Sequence, residues 1–327
     1  MSRKRPPRRH HQNDKQELSD AQQAVTQGHS GLVITRFGAK VEVEDEAGNI
    51  CRCTSRRKFG AVVCGDQVIW QPTHDNEGII AEVLPRRTLL ARPDDSGRDK
   101  PIAANITQLI IVATVKALAD ENYYLNHNLI DRYLVAAENL DITPVILVNK
   151  RDLLSEKEFV QLQDDMQPYQ SIGYQVIYTS TRAAHGLEHL MLQLQHQTSV
   201  FVGESGVGKS SIIRCLLQDQ AIRVGEVSAG TGKGKHTTTG TTLYHLKSGG
   251  DLIDSPGVRE FGLNSIEPDA LDYSFIEFRP FINQCRFHDC IHRAEPDCAV
   301  KQAVTEGRIS RQRYDNYLEI LASLKQK

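Results

Sequence analysis

Gly203-Glu204-Ser205-Gly206-Val207-Gly208-Lys209-Ser210 fits the pattern G-x-x-x-x-G-K-[ST], a loop for phosphate. Its glycines let the backbone curl until successive N–H groups point at phosphate oxygens. A helix predicted to begin near Lys209 would add the positive end of its dipole. Lys209 brings a cation to the β and γ phosphates, and the Ser210 hydroxyl can ligate Mg²⁺. The context agrees, because the apolar strand Val200-Phe201-Val202 precedes the loop and a helical pattern, Ser211 to Leu217, follows it.

A phosphate loop does not choose a base. Asn149-Lys150-Arg151-Asp152, directly after the apolar run Val145–Val148, fits N-K-x-D, the guanine-reading element of GTPases. An aspartate at position 152 accepts from guanine N1–H and from the exocyclic amine. Adenine offers no such donor pair, so an ATPase is disfavoured. The Lys150 stem can cover the base, and Asn149 can tie this loop to the phosphate loop. Ser180, after the predicted strand Gln175–Tyr178, sits where GTPases place a short backbone contact to guanine O6.

Asp254-Ser255-Pro256-Gly257 fits D-x-x-G. Asp254 would hold Mg²⁺ through water, and the Gly257 amide would sense the γ-phosphate. Between this element and the phosphate loop lies the Gly-rich stretch 230–240. A threonine there, Thr238 or Thr239, would complete the Mg²⁺ shell only when γ-phosphate is present. GTPases ordinarily run phosphate loop, switch threonine, D-x-x-G, N-K-x-D. Here N-K-x-D comes first, so the domain reads as circularly permuted, which is tolerable because domain termini often lie close together. Val258 stands where many GTPases carry a water-orienting glutamine, and valine cannot orient water. Slow hydrolysis by the free protein is expected, completed by a partner or by His236, whose neutral imidazole can position water or accept a proton.

Cys285-x4-Cys290-x-His292-x5-Cys298 offers three thiolates and an imidazole. Four N/S ligands suit a closed tetrahedral site, so a structural Zn²⁺ is expected, stabilising a unit with little apolar core. His288 is a competing ligand ranked below His292. Cys51, Cys53, Cys64 and Cys215 read as unrelated free thiols.

The elements that must position these groups follow from composition and pattern. A chain of 327 residues with 39% hydrophobic and 24% charged residues is an ordinary globular protein of about two domains. The formal net charge of -2 leaves nucleic-acid binding to local patches. No apolar run approaches the roughly 20 residues of a membrane span, and no hydrophobic segment follows the basic N-terminus as in a secretory signal. Residues 1–30 read as a disordered basic tail. Short, Gly-punctuated segments over 31–91, including Val62-Val63, predict a small all-β barrel of OB type with five or six strands. In it, the loop Arg56-Arg57-Lys58-Phe59 pairs charge with an aromatic ring. Residues 92–100 read as a linker. Strands at 108–115, 145–148, 175–178 and 198–202 alternate with helices, which predicts an α/β domain with a parallel sheet over 92–272. A small α-rich zinc-binding domain, 273–327, ends in a helix from about Ser310, with the stripe Tyr314, Tyr317, Leu318, Leu321 and Leu324 packed on a neighbour.

The permuted order, the N-terminal barrel and the Cys–Cys–His–Cys tail together resemble the bacterial ribosome small-subunit-dependent GTPase A family. Ala103-Ala104-Asn105, Gly234-Lys235-His236-Thr237-Thr238-Thr239 and Asp254-Ser255-Pro256-Gly257-Val258-Arg259-Glu260-Phe261-Gly262 carry the likeness, over about residues 31–327. The resemblance implies a multidomain protein with an OB domain, a permuted GTPase domain and a zinc domain. It also implies a factor that binds the 30S subunit and its 16S rRNA late in assembly and hydrolyses GTP to GDP when stimulated by it. Seven cysteines that form no disulfide framework point to a reducing cytosol, and a monomer is the plain expectation. Two other readings remain open: a GTP-sensing RNA-binding checkpoint with little turnover, and a permuted GTPase of the large subunit.

Overall fold

The computed structural model describes residues 28–38, 40–74, 77–93, 98–117, 123–218, 241–255 and 268–324. The first five strands are β1 (His29–Phe37), β2 (Lys40–Asp45), β3 (Ile50–Ser55), β4 (Gln67–Pro72) and β5 (Glu77–Val83). Alternation drives them: Val41 and Val43 turn inward while Lys40 faces solvent. They pair in the order β1-β2-β3-β5-β4, and β4 returns to β1, closing the barrel around Val33, Val43, Cys53, Val68, Trp70 and Ile80. This is the OB-type barrel expected. Gly78 is needed there, since a Cβ would lie 2.8 Å from both Cys53 Sγ and the Trp70 ring.

Three local expectations change. The first strand begins at His29, inside the stretch read as tail. Val62-Val63 is buried but forms no strand. It belongs to a loop held by Asp66, whose buried carboxylate takes the Arg86 guanidinium at 2.7 and 2.8 Å and the Val63 N–H at 2.8 Å. The segment read as a linker is flanked by an antiparallel pair, β6 (Leu89–Pro93) and β7 (Asp99–Ala104), because Leu90, Ile102 and Ala103 have core to fill.

The remaining strands are β8 (Gln108–Thr114), the short pair β9 (Lys116–Ala117) and β10 (Tyr123–Tyr124), β11 (Thr143–Asn149), β12 (Gln175–Tyr178), β13 (Thr198–Val202), β14 (Thr241–His245) and β15 (Asp251–Asp254). Their sheet runs β12-β11-β8-β13-β15-β14, parallel except for β14. Successive β8 residues feed opposite faces. Leu109 and Ile111 join a core with the helix α1 (His127–Asn139) and α2 (Glu156–Ser171), while Ile110 and Val112 join one with α3 (Glu188–Gln193) and α4 (Lys209–Gln218). Burial on both sides explains why these strands read as unbroken apolar runs.

The barrel and this sheet are continuous. Thr35 and Arg36 of β1 pair with Thr242 and Thr241 of β14, beyond a register shift between Val33 and Thr35. His245 bridges the same boundary, its Nε2 2.5 Å from Glu44 of β2 and its Nδ1 2.7 Å from Asp251.

The C-terminal module consists of short 3-10 turns, α5 (Arg279–Ile282), α6 (Ala299–Thr305) and α7 (Arg311–Leu324). Leu271, Phe275, Phe278, Tyr317 and Ile320 form its core, joined by Val135 of α1. The contact with α1 also contains buried charge. Arg313 donates to Asp131 at 2.6 Å and to Glu277 at 2.7 and 2.9 Å, and Asn316 donates to Asp131 at 2.6 Å. Burial pushes the Asp131 carboxyl up, against the pull of Arg313. Burial alone would strip charge from Arg313, but Asp131 and Glu277 hold it charged. Among the described residues, no helix is long and apolar enough to cross a membrane.

Candidate nucleotide site and candidate metal centre

β11, β13 and β15 end at one edge of the sheet, the carboxyl edge where open α/β sheets take ligands. From there Asn149-Lys150-Arg151-Asp152 leaves β11, the glycine-rich loop leaves β13, and Asp254 closes β15. The loop needs its glycines for space as well as for conformation. Gly203 has φ 137°, and a Cβ on it would lie 2.2 Å from the Val112 carbonyl oxygen. Gly208 has φ 104°, and a Cβ there would meet Asn149 Nδ2 at 2.3 Å.

That last approach brings the two sequence elements together. Asn149 Nδ2 donates to the Val207 carbonyl at 2.9 Å, and Lys150 Nζ donates to the Gly206 carbonyl at 2.9 Å. Lys150 itself sits in the left-handed region, φ 65°, which turns the chain sharply off the strand. Arg151 points away, over the Phe159 ring at 4.2 Å. The Asp152 carboxylate accepts from Ser180 Oγ at 2.5 Å, and Ser180 Oγ accepts in turn from the Arg182 and Ala183 N–H groups. Ser180 is thus part of this corner, buried beside Asp152.

Lys209 is buried, with Nζ folded over the loop to the Gly203 and Glu204 carbonyls at 2.6 and 2.5 Å. Ser205, Gly206 and Ser210 are exposed at the mouth, and Val202 and Val207 are buried beneath it. Asp254 is half-buried in register with Thr242, and Thr241 Oγ1 donates to Ser255 Oγ at 2.9 Å. His236, Thr238, Thr239 and Gly257 lie outside the described residues.

Two residues that no motif singled out reach the loop. Asn126 Nδ2 donates to Glu204 Oε1 at 2.6 Å, and Tyr133 lines the space behind the loop beside Glu204 and Val207. An Asn ahead of an apolar stripe signals a helix cap, which Asn126 is. Tyr133 carried only a core signal.

The second centre is closed. Cys285, Cys290, His292 and Cys298 place their ligand atoms within 4.8 Å of one another. A tetrahedral zinc with Zn–S bonds near 2.3 Å sets S–S edges of about 3.8 Å. Cys285 Sγ and Cys298 Sγ stand 3.9 Å apart, and His292 Nδ1 lies 3.5 and 3.4 Å from them. His288 is not among the four.

The surroundings suit a metal as well. His292 is fully buried with φ 57°, and its outer nitrogen, Nε2, meets Asp272 Oδ2 at 3.2 Å, which fixes Nδ1 toward the sulfurs. Burial would raise the Cys285 thiol, but the Val300 and Ala299 N–H groups at the start of α6 favour the thiolate and bring it below its usual value. Tyr314 and Tyr317 donate to the His292 and Ile291 carbonyls at 2.7 and 2.8 Å, so α7 holds the ligand loop. The donor set supports a structural zinc site.

Comparison with known proteins bears on both centres. A family profile described as RsgA GTPase matches residues 83–264. The small ribosomal subunit biogenesis GTPase RsgA 1 of Vibrio vulnificus is 46% identical over 299 residues, which covers 90% of this chain and 83% of that protein. The small ribosomal subunit biogenesis GTPase RsgA of Chromohalobacter salexigens is 48% identical over 298 residues, 90% and 86% of the two chains. Among solved structures, YjeQ from Thermotoga maritima superposes with a TM-score of 0.74 at 33% identity, covering 92% of this chain and 99% of that one. YloQ, described as a circularly permuted GTPase, gives 0.72 at 31% identity over 91% and 96%.

Proposed function

The chain belongs to the RsgA GTPase family, and on that premise we propose how its own residues carry out the family's chemistry. It is a GTP hydrolase that acts in maturation of the small ribosomal subunit. The observation that carries the residue-level reading is the pair of bonds from Asn149 to Val207 and from Lys150 to Gly206. Two elements reversed in sequence order meet there as walls of one site.

In this reading Asp152 accepts from the guanine edge, with Ser180 orienting it, and the Lys150 stem covers the base, while Arg151 braces the loop from behind against Phe159. The backbone from Gly203 through Gly208 cradles the phosphates. Lys209, buried along the loop against the Gly203 and Glu204 carbonyls, serves the β and γ oxygens. Ser210 and Asp254, with Thr238 or Thr239, would hold a Mg²⁺ that neutralises phosphate charge. The Gly257 amide reports the γ-phosphate. His236 supplies what Val258 lacks, a group able to position the attacking water.

The zinc is structural, since four protein donors leave no open position. The units run from His29 to about residue 88 for the barrel, from about 89 to 272 for the GTPase domain, which takes in the β6–β7 pair, and 273–327 for the zinc domain. The protein works as a cytoplasmic monomer, and its barrel and zinc domain grip 16S rRNA while GTP and GDP set their relative placement. The exposed Lys58, held over Phe59 at 5.0 Å, gives the barrel a cationic aromatic contact suited to a base and its phosphate.

Titrating GTP turnover with isolated small and large subunits tests the reading. Stimulation by small subunits alone is expected. Turnover unmoved by either subunit favours the checkpoint, and stimulation by large subunits overturns the assignment.

A further inference from the structure

Asn126, Leu129, Ile130 and Tyr133 recur at three- and four-residue spacing, so they share one side of α1. That side backs onto the phosphate loop. With β8 and Val207, these residues and Glu204 line a single small cavity behind the loop. Asn126 uses its amide twice: Oδ1 accepts the Leu129 N–H at 3.1 Å, capping the helix, and Nδ2 donates to Glu204 Oε1 at 2.6 Å. Tyr133, two turns on, lines the same cavity. One helix face thus backs the loop, and Asn126 holds it at Glu204.

Glu204 has reason to be held. Its carbonyl accepts from Lys209 Nζ, so its peptide group is part of the lysine's resting position. Its carboxylate stands in a loop built to attract phosphate, where a like charge repels the ligand. A donor behind the loop keeps that charge turned back.

We propose that Asn126 is a positioning residue of the nucleotide site, fixing Glu204 so that its carboxylate faces α1 and its peptide group stays in the phosphate-facing turn. The proposal rests on the reading of 203–210 as the phosphate loop.

The test separates capping from tethering. Asn126→Asp still caps the helix, because aspartate accepts the Leu129 N–H, but it sets a carboxylate against Glu204. In the full chain it keeps the wild-type melting temperature and releases a fluorescent GDP analogue about tenfold faster. Asn126→Ser caps as well and has no donor long enough for Glu204, so it too releases faster, and it serves if the aspartate variant folds poorly. Asn126→Asp/Glu204→Gln restores the hydrogen bond with donor and acceptor exchanged, and release returns to within about twofold of wild type. Release at the wild-type rate from both single variants overturns the proposal, as does a double variant no slower than Asn126→Asp. Failure of the wild-type chain to bind the analogue overturns the phosphate-loop reading instead, and the proposal with it.

Discussion

The barrel joins the central sheet through strand pairing and apolar packing, whereas the C-terminal module joins the central domain across buried charge. At the first boundary β1 adds to β14 as one more strand, Ile34 and Cys64 share an apolar core with Leu243 and Ile253, and the ionisable side chain that crosses it, His245, is half in solvent. At the second, Arg313, Asp131 and Glu277 bury their charges between α7, α1 and the 276–278 turn, with Asn316 completing the set. A backbone junction tolerates most replacements because any residue but proline supplies the ladder. A buried charge junction tolerates few, because removing one partner strands the other in a low-dielectric interior.

Metal removal should give the largest effect and show how local the second junction is. Structural zinc is worth on the order of 10 kcal/mol of apparent folding free energy in small modules. A strong chelator should unfold residues around 285–298, seen as protease cleavage there. Trp70, the one tryptophan, is buried in the barrel, so its fluorescence should stay unchanged. A parallel change at Trp70 would mean that the two boundaries are not independent.

Asp131→Ala comes next. It leaves Arg313 with Glu277 alone and should destabilise the protein by about 3–5 kcal/mol in denaturant titration. A loss below about 1 kcal/mol would remove the distinction between the junctions. At the barrel boundary the contrast is within one position. Thr35→Pro removes an N–H from β1 and should cost about 3 kcal/mol, while Thr35→Val should stay within about 0.5 kcal/mol.

His245 should give the smallest effect. The hydrogen bonds its ring donates to Asp251, and then to Glu44, raise its imidazole to about 9 despite partial burial. A folded pKa above the unfolded value means the bridge contributes fully below about pH 6.5 and fades as pH rises toward about 9. With the ring half in solvent, the contribution is at most about 1 kcal/mol. His245→Gln should therefore lower the melting temperature slightly at pH 6 and leave it unchanged at pH 10.

The same division explains what could be read from the chain. Residues 149–152, 203–210 and 285–298 declare themselves because each is a short run whose spacing is its geometry. The hairpin at 89–104 hid behind Pro and Asp that sit in and beside its strands. Asp131 and Asn316 are buried with no sign of it in the sequence, since periodicity marks apolar faces and says nothing of a polar face that finds a buried partner. Asp272 met His292 from twenty positions away, with no local signal at all. The β1–β14 pairing joins strands some 200 residues apart, and nothing in either strand names the other.

β1 divides its length between two neighbours. Residues 29–32 close the barrel against β4, and Thr35 and Arg36 sit on β14. A chain shortened to begin after the barrel would therefore lose more than a binding unit. It would leave β14 as a bare sheet margin with unanswered amides and carbonyls, ready to recruit the same margin of another molecule, so the trimmed protein should clump unless that margin is masked.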